Sequence, residues 1–139
     1  MADLLAVIVT HLNGTAQPDM FRVLSELEIS FTQMKALFVL DRAKELAVTD
    51  LAAQLAMSLA AMSRSVDGLV RLGYVGRRES ATDRRSRLVT LLPQGQEALG
   101  RVLAARQAAV IAFTASLPDD QRTALRDALL PIAERIGPP

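Results

Sequence analysis

Two consecutive helical segments, joined by a tight turn and followed at once by a β-forming segment, constrain the fold of this chain most. Thr49 is a suitable N-cap for DLAAQLAM, a short helix with Leu51 and Leu55 facing inward. Ser58 is a suitable cap for the next helix, LAAMSRSVDGLVRL, and Gly73 follows it in the position that glycine favours after a helix end. A short helix, a turn and a longer helix are typical of a helix-turn-helix.

The period of the second helix separates a buried face from an exposed face. Met62, Val66 and Leu69 fall on one face and are expected to pack inward. The opposite face is expected to be exposed, and it consists of Ala60, Ser63, Arg64 and Asp67. An acid on an exposed face beside arginines needs a partner, so Asp67 is predicted to pair with Arg71, four residues on, or with an arginine of the next segment.

After Gly73 the pattern changes from helical to β-forming. Residues 74–78 and 87–92 are rich in β-forming residues, and the polar stretch 79–86 lies between them. This order predicts a β-hairpin with a charged tip. Because a helix-turn-helix followed by such a hairpin is a winged helix, the predicted fold class is mainly α, an α+β winged helix with its lobe at residues 30–92.

The lobe is predicted to open with a helix whose cap is visible in the sequence. Ser30 and Gln33 form a capping-box pattern, in which the hydroxyl and the amide each satisfy a free backbone N–H. The short apolar segment 46–48 after this helix is predicted to form a strand. The buried side of the helix is expected to come from Phe31, Met34, Leu37, Phe38 and Leu40.

Helices are also predicted outside the lobe. On the N-terminal side, residues 1–12 and a stretch around residues 21–27 have helical spacing, and Asn-Gly and Pro-Asp within residues 13–19 predict a break between them. On the C-terminal side, Pro93 fits the first position of a long helix that ends near residue 116. A last helix begins near residue 119, and Pro131 is expected to kink or shorten it.

These outer segments, residues 1–29 and 93–139, carry more apolar surface than one small lobe can bury. A symmetric homodimer would bury it, so they are predicted to be dimerisation helices within a single domain over residues 1–139. The alternative is that they cover the core of a monomer.

Positive charge is concentrated in the lobe. Residues 64–87 hold seven arginines and three acids, whereas the rest of the chain holds nine basic and twelve acidic residues. Concentrated arginine that adjoins a helix is attracted to a phosphate backbone. The chain as a whole carries a charge of only +1, so the cluster, and not the total charge, points to a nucleic acid.

Other classes of function find little support in the sequence. The chain has no cysteine and a single histidine, His11, and no carboxylate cluster has the spacing of metal ligands. No phosphate-binding glycine loop or catalytic triad is recognisable, so we expect no enzyme, no metal and no cofactor. Without a long uncharged apolar run or a basic segment before LLAVIVTHL, we expect a cytoplasmic protein with no membrane partner.

Three passages of the chain resemble the MarR family of transcriptional regulators, which are winged-helix proteins. TDLAAQLAMSLAAMSRSVDGLVRLGYVGRR resembles the helix-turn-helix and first wing strand, and TDRRSRLVTLLPQG resembles the wing and the entry to the long helix. The pattern of an acid and arginines at the wing tip matches Asp83-Arg84-Arg85. The resemblance covers about residues 30–117, and it departs from the family at Leu92, where members usually have threonine.

The winged-helix interpretation and the resemblance imply a DNA interface. The second helix enters the major groove, with Ser63 and Arg64 as the best base readers. The wing lies at the minor groove, where the resemblance makes Arg85 the inserted residue and Asp83 its organiser. Arg77 and Arg78 are neighbours on a strand, so they cannot both face DNA. The predicted DNA-binding residues are Ser58, Ala60, Ala61, Ser63, Arg64, Arg77, Asp83, Arg84, Arg85 and Arg87.

The resemblance also implies double-stranded DNA with a pseudo-palindromic operator as partner, and a repressor that a small lipophilic or phenolic effector releases. Such an effector site is predicted from apolar residues that equally suit a plain core: Phe21, Phe31, Met34 and Phe38. Two other interpretations stay open at this point. One is a winged-helix module that binds a protein, and the other is an architectural protein that binds DNA without regard to sequence.

Overall fold

The computed structural model describes residues 1–79 and 87–137. The helices are α1 (Ala2–Glu26), α2 (Phe31–Ala43), α3 (Val48–Gln54), α4 (Leu59–Arg71), α5 (Pro93–Ser116) and α6 (Asp119–Ile136). The strands are β1 (Glu45–Ala47), β2 (Val75–Glu79) and β3 (Arg87–Leu91). The predicted class, mainly helical with a small antiparallel sheet in a winged helix, is confirmed.

The chain divides into two compact units. We call residues Pro18–Ala105 the winged-helix unit, and Met1–Gln17 together with Arg106–Pro139 the helical unit. The winged-helix unit takes in more than residues 30–92, because the end of α1 and the start of α5 contribute Leu24 and Leu99 to its core.

The core of the winged-helix unit is made of aliphatic side chains from α2, α3, α4 and the sheet. Removing such a side chain from water contributes roughly 1.5–3 kcal/mol, so these residues hold the lobe together. The three predicted inward residues of α4 are all fully buried, and so are Leu37 and Leu40 of α2. The largest fully buried side chains are Leu37, Leu40, Leu51, Met62, Val66, Leu69, Val75 and Val89.

The described strands form an antiparallel sheet in the order β1-β3-β2. The predicted hairpin strands pair with each other, with Arg77 opposite Val89 and Arg78 opposite Leu88. β1 lies on the other side of β3, and its Glu45 is opposite Thr90. The register decides which face each arginine of β2 occupies, because opposite residues in an antiparallel pair share a face.

Helix ends confirm most of the predicted caps. The Ser30 hydroxyl accepts from the Gln33 N–H at 3.2 Å, and the Gln33 side chain accepts from the Ser30 N–H at 2.8 Å. Ser58 caps α4 by accepting from the Ala61 N–H at 3.2 Å. α4 ends at a left-handed Gly73 with φ +72°, and the backbone bonds of Gly73 and Tyr74 back to the helix form a Schellman motif.

The predicted cap of α3 is wrong. The N-cap is Ala47, which makes no side-chain cap bond, and Thr49 lies inside the first turn. The pairing of Ala47 with Leu88 ends the extended backbone at that point. Val48 then enters the helix with its side chain buried, so burial and strand pairing decided the helix start over the better capping side chain.

The predicted break between residues 13 and 19 is also wrong, because α1 runs without interruption from Ala2 to Glu26. Glycine and proline cost about 1 and 3 kcal/mol inside a helix, but neither forces the backbone out of helical dihedral angles. The residues therefore mark a weak point in a helix and not its end. For the same reason Pro131 does not shorten α6, which continues to Ile136.

The helical spacing predicts Phe31 on the buried side of α2, but this residue is 51% exposed. It is the first residue of α2, and the Lys35 ammonium lies 5.4 Å from the centre of its ring. Phe38 is partly buried against the core, whereas Met34 is inside it. The helical spacing correctly predicts the buried face of α2 at Met34, Leu37 and Leu40. Phe31, at the start of the helix, lies outside the core.

The helical unit consists of the first part of α1, the last part of α5, and α6. Its helices leave many large apolar side chains half exposed or more, and α6 buries none of its residues. His11 is exposed, and its ring lies 5.7 Å from that of Phe113. The exposed apolar residues of α1, α5 and α6 in this unit are Leu4, Leu5, Val7, Val9, Val110, Ile111, Leu129, Leu130, Ile132 and Ile136.

Among the described residues, α5 is long and apolar enough to pass a composition test for a membrane span. The test is weak, because core helices of soluble proteins also pass it. The first half of α5 buries Ala98, Leu99 and Val102 in the winged-helix core, which accounts for its apolar residues there.

Candidate nucleic-acid interface

The outward face of α4 is the centre of the candidate interface. Ala60 and Arg64 are exposed, and Ser63 and Asp67 are partly exposed, as the helical period predicted. The sequence interpretation missed Leu59, whose side chain is 50% exposed at the first position of the helix. Helical spacing gave no signal for this, because Leu59 lies three and seven residues before the fully buried Met62 and Val66.

The start of α4 offers backbone and hydroxyl donors. The Ser58 oxygen accepts from the Ala61 N–H, so its own hydroxyl hydrogen remains free to donate outward. The N–H groups of Leu59 and Ala60 belong to the first turn, which has no partner for them inside the helix. Donors of this kind, together with the positive end of the helix dipole, suit an anion such as a phosphate.

Arg64 is an exposed cation on this face, as is Arg71, seven residues further on. The Arg64 side chain makes no ion pair with any acid in the described part of the chain. Because Met62 and Val66 on either side of it are buried, the helix backbone beneath Arg64 is held in place. The Arg64 guanidinium can therefore bind a group outside the protein without breaking an ion pair to a described residue.

Asp67 pairs with an arginine of the wing and not with Arg71. The Arg77 guanidinium Nη1 lies 2.8 Å from the Asp67 carboxylate, which joins α4 to β2. Arg77 is opposite the fully buried Val89 and so lies on the core-facing side of the sheet. Its Nε is buried with no hydrogen-bond partner among the described residues. Of the two partners that the sequence left open for Asp67, the wing arginine is correct.

Arg78 points to the other face of the sheet, as strand alternation predicts. It donates to both oxygens of Glu45, at 2.9 and 2.6 Å, and so ties β2 to β1 across β3. Arg87 begins β3, is exposed, and lies directly opposite Glu79. The predicted wing-tip residues Asp83, Arg84 and Arg85 lie outside the described residues.

The arginine cluster is thus partly neutralised within the lobe. Arg77 and Arg78 each have a carboxylate partner, whereas the exposed Arg64, Arg71 and Arg87 make no such ion pair within residues 1–79 and 87–137. Among the described arginines of the cluster, those left for an external partner lie on α4 and at the start of β3. This arrangement can bind a polyanion along two neighbouring elements of one lobe.

The four residues predicted to line an effector site do not come together around a described cavity. Met34 is in the core, Phe38 packs against it, and Phe21 and Phe31 are half exposed. Within the helical unit, a cavity of about 360 Å³, open on one side, has an almost wholly apolar wall. Its lining includes Leu5, Ile8, Phe113, Leu117, Leu125 and Leu129. No group of metal-ligating side chains is found in the described ranges.

A model of the MarR family matches residues 21–86 of the chain. The match runs from the last part of α1 through α2, β1, α3, α4 and β2, and it ends before β3. The resemblance predicted from the sequence is confirmed. A comparison with curated protein sequences finds no match.

Solved structures similar to this chain include MarR-type regulators. A transcriptional regulator from Thermotoga maritima has a TM-score of 0.79 at 18% identity, covering 94% of this chain and 92% of that one. A mutant of S. aureus MepR bound to an oligodeoxyribonucleotide has a TM-score of 0.74 at 18% identity, covering 98% and 97%. A mutant of MarR from E. coli complexed with operator DNA has a TM-score of 0.60 at 26% identity, covering 92% of each chain.

Proposed function

We propose that this chain, which is similar to the MarR family through its winged-helix lobe, is a dimeric, sequence-specific DNA-binding transcriptional regulator that acts in the cytoplasm. The observation that carries the proposal is the outward face of α4, where Arg64 is exposed and without an acidic partner among the described residues, above a fully buried core face. The similarity to structures of regulators bound to an oligonucleotide and to operator DNA supports it.

In the proposed complex, α4 enters the major groove. Arg64 reads a guanine by donating to two acceptors at once, and Ser63 makes a neighbouring base contact. Ser58 and Ala60 lie at phosphates, where the free donors of the first helical turn are. Ala61 contributes apolar contact, for example with a thymine methyl, and the exposed Leu59 adds to that apolar contact.

The wing is proposed to lie at the minor groove. Arg85 inserts there with Arg84 beside it and Asp83 as organiser, which follows from the family resemblance, and Arg87 lies at the adjacent phosphates. Arg77 is predicted from the sequence to contact DNA, but in the structure it is paired with Asp67. We assign Arg77 to holding the wing against α4, so that it acts on DNA binding through the position of the wing.

A homodimer is proposed to form through the helical unit. The ten exposed apolar residues named above on α1, α5 and α6 are each 40% exposed or more, and exposed apolar patches on soluble proteins mark interaction sites. A symmetric partner would cover them and would present two α4 helices to DNA. The half-sites would then lie about 34 Å apart, one helical turn of DNA, on a pseudo-palindromic operator.

Repression and its release by a small lipophilic or phenolic effector complete the proposal, and both rest on the family resemblance. The apolar cavity in the helical unit has the size of a small-ligand pocket, which supports an effector of this chemistry. An effector would act by favouring a spacing of the two α4 helices that does not fit the operator. It should release DNA at concentrations that leave the protein folded.

Selection of genomic DNA fragments by the purified protein tests the proposal. A regulator should recover a short pseudo-palindrome. Recovery of fragments without a common sequence would favour an architectural DNA-binding protein, and retention of no DNA at low salt would favour a protein-binding module.

Arg64→Ala is expected to weaken binding to the recovered palindrome by about 1–3 kcal/mol and to relax the preference at one base position. The reason is the loss of a two-pronged contact to a base edge. Titration of the palindrome and its single-base variants measures both effects. Arg126→Ala removes an exposed arginine of α6 that pairs with Asp127, and it should leave binding unchanged. Equal effects from the two substitutions would mean that Arg64 contributes only charge.

Arg85→Ala is expected to weaken binding and to flatten the dependence of affinity on salt by about one unit in a plot of log K against log salt. The cause is the loss of one cation from the minor groove. Titrations at several salt concentrations measure the slope. An unchanged affinity and slope would refute the role proposed for Arg85.

A further inference from the structure

A glutamine at the start of α2 bonds to the middle of α4, the helix proposed to recognise DNA. The Gln33 side-chain amide nitrogen donates to the Ser65 carbonyl oxygen at 3.2 Å, in a partly buried place. The same side chain accepts from the Ser30 N–H at 2.8 Å, as its half of the capping box. One side-chain amide thus accepts from a free N–H at the start of α2 and donates to a backbone carbonyl of α4.

The α4 backbone can accept this bond without losing one of its own. A carbonyl in the middle of a helix accepts from the N–H four residues on, and its second lone pair remains free. Donation by Gln33 to Ser65 therefore adds a link between the helices and leaves the helix intact. The bond fixes a backbone position in the second turn of α4, close to Arg64.

Gly68 makes room for this bond. A Cβ atom at Gly68 would lie 2.5 Å from the Gln33 amide nitrogen, closer than real side chains approach. Glycine in the middle of a helix costs roughly 1 kcal/mol relative to alanine, so its presence here needs a reason. Its backbone is in the ordinary helical region and not at positive φ, so the reason is space and not conformation.

The link holds one flank of α4, and the Asp67–Arg77 ion pair holds another. At 3.6 residues per turn, Ser65 and Gly68 lie on one flank of the exposed face, and Asp67 lies on its far side. The core residues beneath the helix hold its inner face, and a polar bond on each flank further restricts rotation about the helix axis. These polar bonds set the rotation of α4 about its own axis. That rotation determines the direction in which Ser63 and Arg64 project.

We propose that Gln33 is a positioning residue for DNA recognition, which sets the rotation of α4 through its bond to Ser65, in a space that Gly68 provides. The proposal deepens the proposed function and rests on it for its effect on DNA. It predicts that losing the Gln33–Ser65 bond lowers specific binding more than it lowers stability. The bond itself is a property of the free protein and can be tested without DNA.

Two substitutions remove the bond by different routes. Gln33→Glu keeps an acceptor for the Ser30 N–H, since glutamate serves equally in a capping box, but it has no donor for the Ser65 carbonyl. Gly68→Ala displaces the Gln33 amide, while the alanine itself favours the helix. Ser30→Ala is the matched control, because it removes the hydroxyl half of the cap and leaves the Gln33 amide in place.

The first measurement is the ratio of affinities for the selected palindrome and for a random-sequence duplex. The ratio cancels most of the effect of the charge that Gln33→Glu adds. We expect it to fall about three- to tenfold in Gln33→Glu and in Gly68→Ala, the range for one hydrogen bond. Ser30→Ala should lower the melting temperature by a few degrees and leave the ratio unchanged.

The second measurement is amide hydrogen exchange of α4 in the DNA-free protein, which should rise in Gln33→Glu and not in Ser30→Ala. Faster exchange together with a lower affinity ratio supports the proposal. An unchanged ratio in both bond-removing variants overturns it, and so does unchanged exchange in Gln33→Glu. If the wild type binds no DNA selectively, the proposed function fails, and exchange alone decides whether the bond holds α4.

Discussion

Gly95→Ala is expected to destabilise the winged-helix unit by about 2–4 kcal/mol, as in severe overpacking of a core. Gly95 lies in the first turn of α5, and a Cβ there would meet the Tyr74 carbonyl oxygen at 2.1 Å and the Leu91 side chain at 2.7 Å. The Tyr74 carbonyl also accepts from the Leu92 N–H at 3.0 Å, so it cannot move away without loss. Chemical denaturation of the purified variant measures the change.

Gly100→Ala is the matched control for this prediction. Gly100 lies in the same helix, five residues further on, and a Cβ there would meet nothing within 4 Å. Because alanine favours a helix over glycine by up to about 1 kcal/mol, this variant should be as stable as the wild type or more so. Equal stability of the two variants would mean that α5 does not approach Tyr74 as closely as the structure has it.

Leu129→Asp is expected to convert a dimer to monomers and to weaken binding to the palindrome by about 100-fold or more, because each monomer then reads only one half-site. Leu129 lies on an apolar stripe of α6, with Leu125, Ile132 and Ile136 at helical spacing, and it is 47% exposed. A charge at a buried dimer contact would be left without a partner or water. Sedimentation measures the mass, and titration measures the affinity.

Thr123→Asp adds the same charge to α6 away from that stripe, at an exposed position. It should leave both the mass and the DNA affinity as in the wild type. A monomeric wild-type protein would refute the proposed dimer. A Leu129→Asp variant that sediments as a dimer would place the interface elsewhere.

The local features of the lobe could be predicted from the sequence because short-range physics determines them. Ser30, Gln33 and Ser58 cap helices within four residues of themselves, and Gly73 ends α4 by its own backbone conformation. The spacing of apolar residues every three or four positions in α4 indicated its buried face for the same reason. These signals need no knowledge of the rest of the chain.

The errors arose where a distant contact outweighed a local preference. Thr49 is a better cap than Ala47, but the pairing of Ala47 with β3 placed the helix start. Asn13, Gly14 and Pro18 are weak helix residues, yet α1 continues through them. A local sequence pattern indicates the free-energy cost of a backbone conformation. It does not indicate how much tertiary packing stabilises that conformation.

The arginine cluster shows the same limit at the candidate site. The sequence predicted the concentration of positive charge and that neighbouring Arg77 and Arg78 could not share a face. It left open the partner of Asp67 and did not indicate that Glu45 binds Arg78. Both partners are far along the chain, so the register of β2 with β3 had to be known first.

By itself, the sequence determined the winged-helix class, the caps of α2 and α4, and the exposed face of α4, since each depends on residues that are neighbours along the chain. Only the tertiary structure decided which arginines are paired with acids, that Phe31 is exposed, and that Gln33 bonds to Ser65 beside Gly68. The physical reason is that an ion pair or a close approach requires two distant segments at a defined distance. That distance is set by the packing of the whole lobe.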